Sequence, residues 1–142
     1  MLNKKGFLMD LLFVYGTLKR KLWAHERMSG AKYLRDVVTA EPRWACVEFL
    51  SDFYKGRTYP AVVAGGTALI KGELYQIPSN LWPDLDTFEE EGLRYRRELI
   101  LCDQNVQAYI YLNMDTKSPV THVSDNIIYD AKTNVYEWLP KI

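Results

Sequence analysis

Two places in this chain combine residue types that can do chemistry: a strand-to-turn junction near the N-terminus and a helix end near the middle. At the first, five consecutive apolar residues, 11–15, run into Tyr15-Gly16-Thr17-Leu18 and then into basic residues. Such an apolar run is typical of a strand buried on both faces. Gly16 permits a backbone conformation closed to other residues and leaves open space beside it. Successive amide N–H groups at such a bend can hold an anion, and the alternative is an ordinary turn.

A carboxylate on the apolar side of a helix is the second candidate. We expect Ser79 or Asn80 to cap a helix that runs from Leu81 to about Glu90 and tolerates Pro83 in its first turn. Its apolar stripe consists of Leu81, Trp82, Leu85 and Phe88.

Helical geometry separates the three adjacent glutamates that end this segment. At about 100° per residue, Glu89 falls beside the apolar stripe, whereas Glu90 and Glu91 rotate toward solvent. Burial raises the pKa of a carboxyl group, which prepares it for proton transfer near neutral pH. The alternative is a glutamate at the edge of the stripe that reaches water.

The strand that follows the helix supplies side chains that can support Glu89. Tyr95, Arg97, Leu99 and Leu101 alternate onto one face, and if the two leucines face the core, Tyr95 and Arg97 face it too. Inward-facing hydroxyl and guanidinium groups need partners, and Glu89 is a natural one. Alternatively, Tyr95 merely packs and Arg97 lies at a rim. The opposite face of this strand carries Arg94, Arg96 and Glu98. We expect that face to be solvated and assign it no role.

Other polar residues are weaker candidates. His25 is positioned to hydrogen-bond near the Tyr15–Leu18 turn or to cap local backbone, and we favour this structural role. Tyr59, which precedes Pro60, is a candidate for the pocket wall. Asp86 and Glu73 are alternative carboxylates that their spacing does not single out.

The pattern of elements predicts an α+β fold in one domain, residues 1–142, with residues 1–9 as an N-terminal extension. Strand-like segments rich in Val, Ile, Tyr, Phe and Leu are separated by Gly, Pro, Ser and Asn breaks. Many strands with short connections indicate a curled mixed sheet or small β-barrel with a few short helices. The predicted strands are 11–15, 33–40, 44–50, 59–64, 68–77, 94–102 and 106–112. We also expect a hairpin across 103–105, a short helix near 24–28 and a C-terminal helix over 129–138.

Composition narrows the class of protein. The 142 residues carry 18 basic and 18 acidic side chains, so the formal net charge is zero, which argues against a nucleic-acid partner. The short basic clusters at 19–21 and 94–97 are expected to be solvated or strand-alternating. No apolar run is long enough to span a membrane as a helix. Nothing in the sequence indicates an oligomeric state.

Cysteine and histidine content points away from metal chemistry. Cys46 and Cys102 form no Cys-x-x-Cys pair, and His25 and His122 show no ligand spacing. Both cysteines are interpreted as small core residues of a reduced, cytoplasmic protein. We therefore predict no metal site and no cofactor.

Beyond spacing, the run Phe13–Arg20, followed by His25, closely resembles the opening motif of the gamma-glutamylcyclotransferase-like superfamily, and most of all its gamma-glutamylamine cyclotransferase branch. Lys21 and Ala24 depart from the family's usual Gly and Asn. Later segments resemble further family elements in the same order over about residues 11–112. These segments are Tyr59-Pro60-Ala61, Lys71-Gly72-Glu73-Leu74-Tyr75, Leu85–Glu89 followed by Tyr95 and Arg97, and Ala108-Tyr109-Ile110-Tyr111.

This resemblance implies a fold, a reaction and a set of site residues. The implied reaction is intramolecular attack of a gamma-glutamyl alpha-amine on its own gamma-amide, which releases 5-oxoproline and a free amine. Glu89 would be the catalytic acid and base, and Tyr15, Gly16, Thr17, Leu18 and Tyr95 would bind a small-molecule substrate. Arg97, Tyr59 and His25 would give support. A binding module for a small molecule or a peptide end, without catalysis, is the alternative function.

Overall fold

The computed structural model describes residues 10–50, 58–114 and 125–141, so the predicted extension over 1–9 and His122 lie outside the described residues. Nine strands and one α-helix make up the described fold. The strands are β1 Asp10–Val14, β2 Lys32–Val38, β3 Trp44–Leu50, β4 Thr58–Ala64, β5 Leu69–Ile77, β6 Tyr95–Cys102, β7 Val106–Asn113, β8 Ile127–Asp130 and β9 Val135–Trp138. The helix is α1 Trp82–Glu89, and short 3-10 segments cover His25–Met28, Ser79–Leu81 and Asp103–Asn105.

A mixed seven-stranded sheet carries the fold, in the order β6-β7-β1-β5-β9-β8 with β2 paired to β5. The β1 strand pairs antiparallel with β5 and parallel with β7, so it lies in the sheet interior. The β3–β4 hairpin forms a separate two-stranded sheet. As predicted, β6 and β7 pair across the 103–105 turn. The predicted α+β class with a curled mixed sheet and a few short helices is confirmed.

Two apolar clusters lie on opposite faces of the sheet because successive strand side chains alternate. From β1, Leu12 and Val14 enter the first cluster, which packs against α1. Phe13 and Tyr15 enter the second cluster, which packs against residues of β2, β3 and β4. Burial on both faces explains why 11–15 is an unbroken apolar run.

Helix α1 lies over the first cluster and ends at a residue in the left-handed region. Leu81 precedes it without a side-chain cap, so the predicted Ser79 or Asn80 cap is wrong, whereas Pro83 does lie in the first turn. Glu90 adopts φ 53°, and the Glu91 N–H closes the end by donating to the Asp86 carbonyl (2.9 Å). The helix therefore stops immediately after Glu89.

The C-terminal segment is a β-hairpin, so the predicted helix over 129–138 is wrong. The β8 and β9 strands pair antiparallel, and β9 adds parallel to β5 at Leu69 and Ile70. Pairing with β5 and burial of Trp138, which is 2% exposed, attach this segment to the sheet as a strand. The hairpin is also anchored from the turn after β1, because Lys19 Nζ donates to the Trp138 carbonyl (2.6 Å).

Two burial predictions also fail. Lys19 is only 6% exposed and lies in a bend, although its basic cluster was expected to be solvated or strand-alternating. Leu99 is 51% exposed, because the covered face of β6 changes along its length. Tyr95 packs in the first apolar cluster, whereas Ile100 and Cys102 pack in the second. No helix within the described ranges is long and apolar enough to cross a membrane.

Candidate active site

The Tyr15–Leu18 turn, which we call the junction turn, follows β1 directly and is tied to the backbone after it. The Lys19 N–H donates to the Gly16 carbonyl (3.0 Å), and the Ala24 N–H donates to the Thr17 carbonyl (3.2 Å). Outside the sheet ladders, no backbone hydrogen bond between described residues uses the N–H groups of Gly16, Thr17 or Leu18. Amide groups in such a turn are suited to an anionic ligand.

Gly16 is required by a close contact rather than by backbone conformation. Its φ lies outside the left-handed region, and a Cβ placed on it would come 2.8 Å from Pro60 Cγ and 3.1 Å from Pro60 Cδ. The expected open space beside Gly16 is therefore filled by Pro60. This contact packs the junction turn against β4.

A cavity of about 120 Å³ lies between the junction turn, β4 and the end of α1. Its walls include all four junction-turn residues, both residues of the Tyr59-Pro60 pair, and Glu89 and Tyr95. The structure thus brings together the predicted catalytic residue, every predicted substrate-binding residue and Tyr59.

Glu89 is the last residue of α1 and places its carboxyl group in this cavity. Burial raises the pKa of the Glu89 carboxyl from its usual value to about 8, and no cation contributes to the shift. A carboxyl group with such a pKa exchanges a proton readily near neutral pH. The facing argument from the sequence therefore distinguishes Glu89 from Glu91, which is exposed.

Two tyrosines flank Glu89, and both use their hydroxyl groups within the protein. Tyr15 donates to the Tyr111 carbonyl (2.7 Å) and accepts from the Val62 N–H (3.3 Å). Tyr95 donates to the Pro60 carbonyl (3.3 Å). Burial is the largest cause that raises the pKa of each tyrosine. Tyr95 and then the Glu89 charge raise the pKa of Tyr15 further, and the Glu89 charge raises the pKa of Tyr95, so both hydroxyls stay neutral. These tyrosines shape the cavity and link its walls.

Arg97 lies outside the described cavity lining and pairs with a different carboxylate. Its guanidinium group is 3.5 Å from Asp86 and stacks over the Trp82 ring, with 4.3 Å from Cζ to the ring centroid. Asp86 also accepts a 2.6 Å hydrogen bond from the Tyr111 hydroxyl. Arg97 therefore supports the helix through Asp86 rather than contacting Glu89.

His25 supports the junction turn from outside the described cavity lining. Its Nδ1 is 2.8 Å from the Leu18 carbonyl oxygen. This contact agrees with the structural role favoured from the sequence. Glu73, the other alternative carboxylate, pairs with Arg20 and accepts from the Tyr75 hydroxyl (2.9 Å), away from the described lining.

Several cavity residues were not predicted from the sequence. Trp23, Phe88 and Tyr111 line the cavity, and so do Glu90 and Arg94, which were expected to be solvated. Glu90 and Arg94 form a 2.7 Å ion pair across the end of α1. The sequence does contain a sign of this ion pair, because two opposite charges at i, i+4 spacing can pair on a helix. The helical rule did not apply directly, because Glu90 has a left-handed conformation and the chain leaves the helix between Glu90 and Arg94.

A comparison with protein families identifies the class to which this chain belongs. Residues 12–130 match the family model described as "Gamma-glutamyl cyclotransferase, AIG2-like". The match covers most of the chain, so the protein belongs to this family, and the resemblance noted in the sequence is confirmed.

Individual relatives agree with this assignment. The chain is 29% identical over 106 residues to a Vibrio cholerae serotype O1 protein named "Putative gamma-glutamylcyclotransferase", covering 75% of this chain and 84% of that protein. The crystal structure of an AIG2-like protein from Mus musculus is similar at 25% identity and a TM-score of 0.64, covering 78% of this chain and 80% of that one. An uncharacterized protein from Pyrococcus horikoshii shares the fold at 21% identity and a TM-score of 0.56, covering 73% and 77%.

Proposed function

We propose that this protein cyclises gamma-glutamyl amides. The alpha-amine of the substrate attacks its own gamma-carbonyl carbon, the amide C–N bond breaks, and 5-oxoproline and a free amine leave. The observation that carries this proposal is the Glu89 carboxyl, with a pKa of about 8, in the same cavity as the junction turn. Membership in the family supports a small-molecule substrate of this kind.

The junction turn orients the substrate in this proposal. The N–H groups of Gly16, Thr17 and Leu18 bind the alpha-carboxylate, since they are not used in the turn's own hydrogen bonds. Pro60, packed directly on Gly16, closes the cavity beside that residue. Fixing the carboxylate folds the glutamyl chain so that its amine meets its carbonyl, which removes much of the orientational cost of ring closure.

Glu89 moves the protons. The attacking nitrogen must lose a proton and the leaving nitrogen must gain one, so a single carboxyl group can accept the first and donate the second. A pKa near 8 lets both protonation states of Glu89 exist near neutral pH. Tyr95 lines the same cavity and is hydrogen-bonded to the Pro60 carbonyl. This bond fixes the cavity wall and so the position of the Glu89 carboxyl relative to the junction turn.

The location proposed for this activity is the cytoplasm. Cys46 and Cys102 are both free thiols, and Cys102 is fully buried. Free cysteines are typical of proteins kept in a reducing compartment. Fractionation of the source cells, with an antibody against the protein, tests this placement.

Release of 5-oxoproline from gamma-glutamyl amino acids and gamma-glutamyl amines tests the reaction. We expect the wild type to form 5-oxoproline and the free amine in equal amounts. Glu89→Gln, which keeps the size of the side chain, is expected to lower kcat/KM by at least about 100-fold. Glu91→Gln is the matched control, because Glu91 is exposed and lies outside the described cavity lining.

The non-catalytic binding module predicts a different result. If gamma-glutamyl compounds raise the melting temperature without forming 5-oxoproline, the cavity binds such ligands and does not transform them. Turnover equal in wild type and Glu89→Gln would assign the proton transfer to another group.

A further inference from the structure

We propose that the leaving amine carries an aromatic group, which packs against the paired rings of Trp23 and Phe88. This inference rests on the proposed cyclisation and adds the chemical class of the group released. It comes from residues that line the cavity but take no part in the proposed proton transfer or carboxylate binding.

The aromatic pair forms one wall of the cavity. Trp23 and Phe88 meet edge to face, with ring centroids 6.2 Å apart and planes at 69°. Both side chains are half-buried and line the cavity. Tyr59 adds a third ring, held by Phe49 at 5.6 Å between centroids. An aromatic ligand can bury large apolar area here and extend the edge-to-face geometry already present.

The position of this pair relative to Glu89 fits the leaving group. The leaving nitrogen must lie within reach of Glu89, because it receives the proton in the proposed mechanism. The junction turn holds the glutamyl end, so the remainder of the substrate extends away from that turn. Phe88 lines the same cavity as Glu89, which provides an aromatic wall within the space that the leaving group must occupy.

Charge at the cavity also favours an uncharged aromatic group. Glu90 and Arg94 already neutralise each other through their 2.7 Å ion pair. The Arg27 guanidinium lies 4.4 Å from the Phe88 ring centroid and so places a cation beside the aromatic wall. Because Arg27, which is exposed and outside the described cavity lining, already covers one face of Phe88, that ring is better suited to contact a further aromatic ring than a second cation.

Matched substrate pairs test the inference. The wild type is assayed with gamma-glutamyl-phenylalanine against gamma-glutamyl-alanine, and with gamma-glutamyl-phenethylamine against gamma-glutamyl-ethylamine. We expect kcat/KM for 5-oxoproline release to favour the aromatic member of each pair by at least about tenfold. The second pair removes the amino-acid carboxylate, so it isolates the aromatic contact from any interaction with Arg94.

Variants locate the preference. Trp23→Ala and Phe88→Ala are expected to bring both ratios close to one, because each removes one ring of the pair. Phe88→Leu keeps the apolar packing of the helix end without the ring, and it is expected to lower the ratio as well. Tyr129→Ala removes a 46% exposed aromatic side chain from β8, outside the described cavity lining, and is expected to leave both ratios unchanged.

The possible outcomes separate the two proposals. Release of 5-oxoproline with ratios near one, or in favour of the small substrates, overturns the aromatic assignment and leaves the cyclisation standing. An aromatic preference that persists in both alanine variants also overturns it. No 5-oxoproline from any of the four compounds overturns the proposed function and this inference together.

Discussion

Gly16 and Pro60 approach so closely that a Cβ on Gly16 would lie 2.8 Å from Pro60 Cγ. The contact joins two segments that are 44 positions apart in the sequence and that both line the cavity. Pro60 is buried on β4 and cannot swing away as a flexible side chain would. The separation between the junction turn and β4 is therefore set by the absence of a side chain at position 16.

Gly16→Ala is expected to destabilise the protein and displace the junction turn. Overpacking of a rigid contact costs about 1–3 kcal/mol, measured as the free energy of unfolding in urea. The Pro60→Ala background provides the control, since it removes the ring atoms that the new methyl group would meet. Equal destabilisation by Gly16→Ala in both backgrounds would contradict the steric explanation.

The burial of Glu89 makes stability depend on pH. Its pKa in the folded protein is about 8, above the value of about 4.3 in an unfolded chain, so between these values the folded state binds more protons. The stabilisation from protonated Glu89 is complete below about pH 4.3 and is lost as the pH rises to about 8. The free energy of unfolding of Glu89→Gln is therefore expected to increase, relative to the wild type, from pH 5 to pH 8.

Urea unfolding of both proteins at several pH values measures this difference. Glu91→Gln controls for the removal of a charge at the same end of the helix. A constant difference between wild type and Glu89→Gln across the pH range would show that the carboxyl group titrates at its ordinary value.

Arg97 is expected to contribute to the stability of the protein without changing the pKa of Glu89. It pairs with Asp86 and stacks on Trp82, whereas the raised pKa of Glu89 comes from burial alone. Arg97→Gln should lower the free energy of unfolding by about 1 kcal/mol, because the partly buried pair with Asp86 is lost. The pH dependence of turnover should keep its midpoint. A shift of that midpoint by one pH unit would show that Arg97 does influence the pKa of Glu89.

Lys19 is expected to hold the C-terminal hairpin to the rest of the fold. Its buried ammonium donates to the Trp138 carbonyl, and desolvation lowers the pKa of Lys19. Lys19→Met keeps the length of the side chain but leaves that carbonyl without its donor, at a cost of about 1–3 kcal/mol. Limited proteolysis should then cleave the 127–138 hairpin faster, while a Lys132→Met control, altered at an exposed turn, should match the wild type.

Local patterns in the sequence were enough to predict most strands and the identity of the candidate carboxylate. The alternation of β1 between two clusters is a property of the strand itself, so the apolar run over 11–15 identified it. Glu89 was distinguished from Glu91 by rotation about a helix, which also depends only on neighbouring residues.

The failed predictions depended on contacts between distant segments. Burial of Lys19 requires the Trp138 carbonyl, 119 positions away, and the absence of a side chain on Gly16 is explained only by Pro60. Leu99 is exposed because β6 is covered on one face near Tyr95 and on the other near Ile100. Strand periodicity alone does not specify where along a strand the buried face changes from one side of the sheet to the other.

The most direct test of the central claim is the pH dependence of 5-oxoproline release by the wild type and Glu89→Gln. With a gamma-glutamyl substrate, we expect wild-type kcat/KM to rise with pH to a midpoint near 8, because Glu89 must be deprotonated to accept the amine proton. Glu89→Gln should be at least about 100-fold slower. Its kcat/KM should also lack the component of the pH dependence that comes from deprotonation of Glu89. Wild-type-like release by Glu89→Gln, with an unchanged profile, would contradict the assignment of Glu89 as the catalytic acid and base.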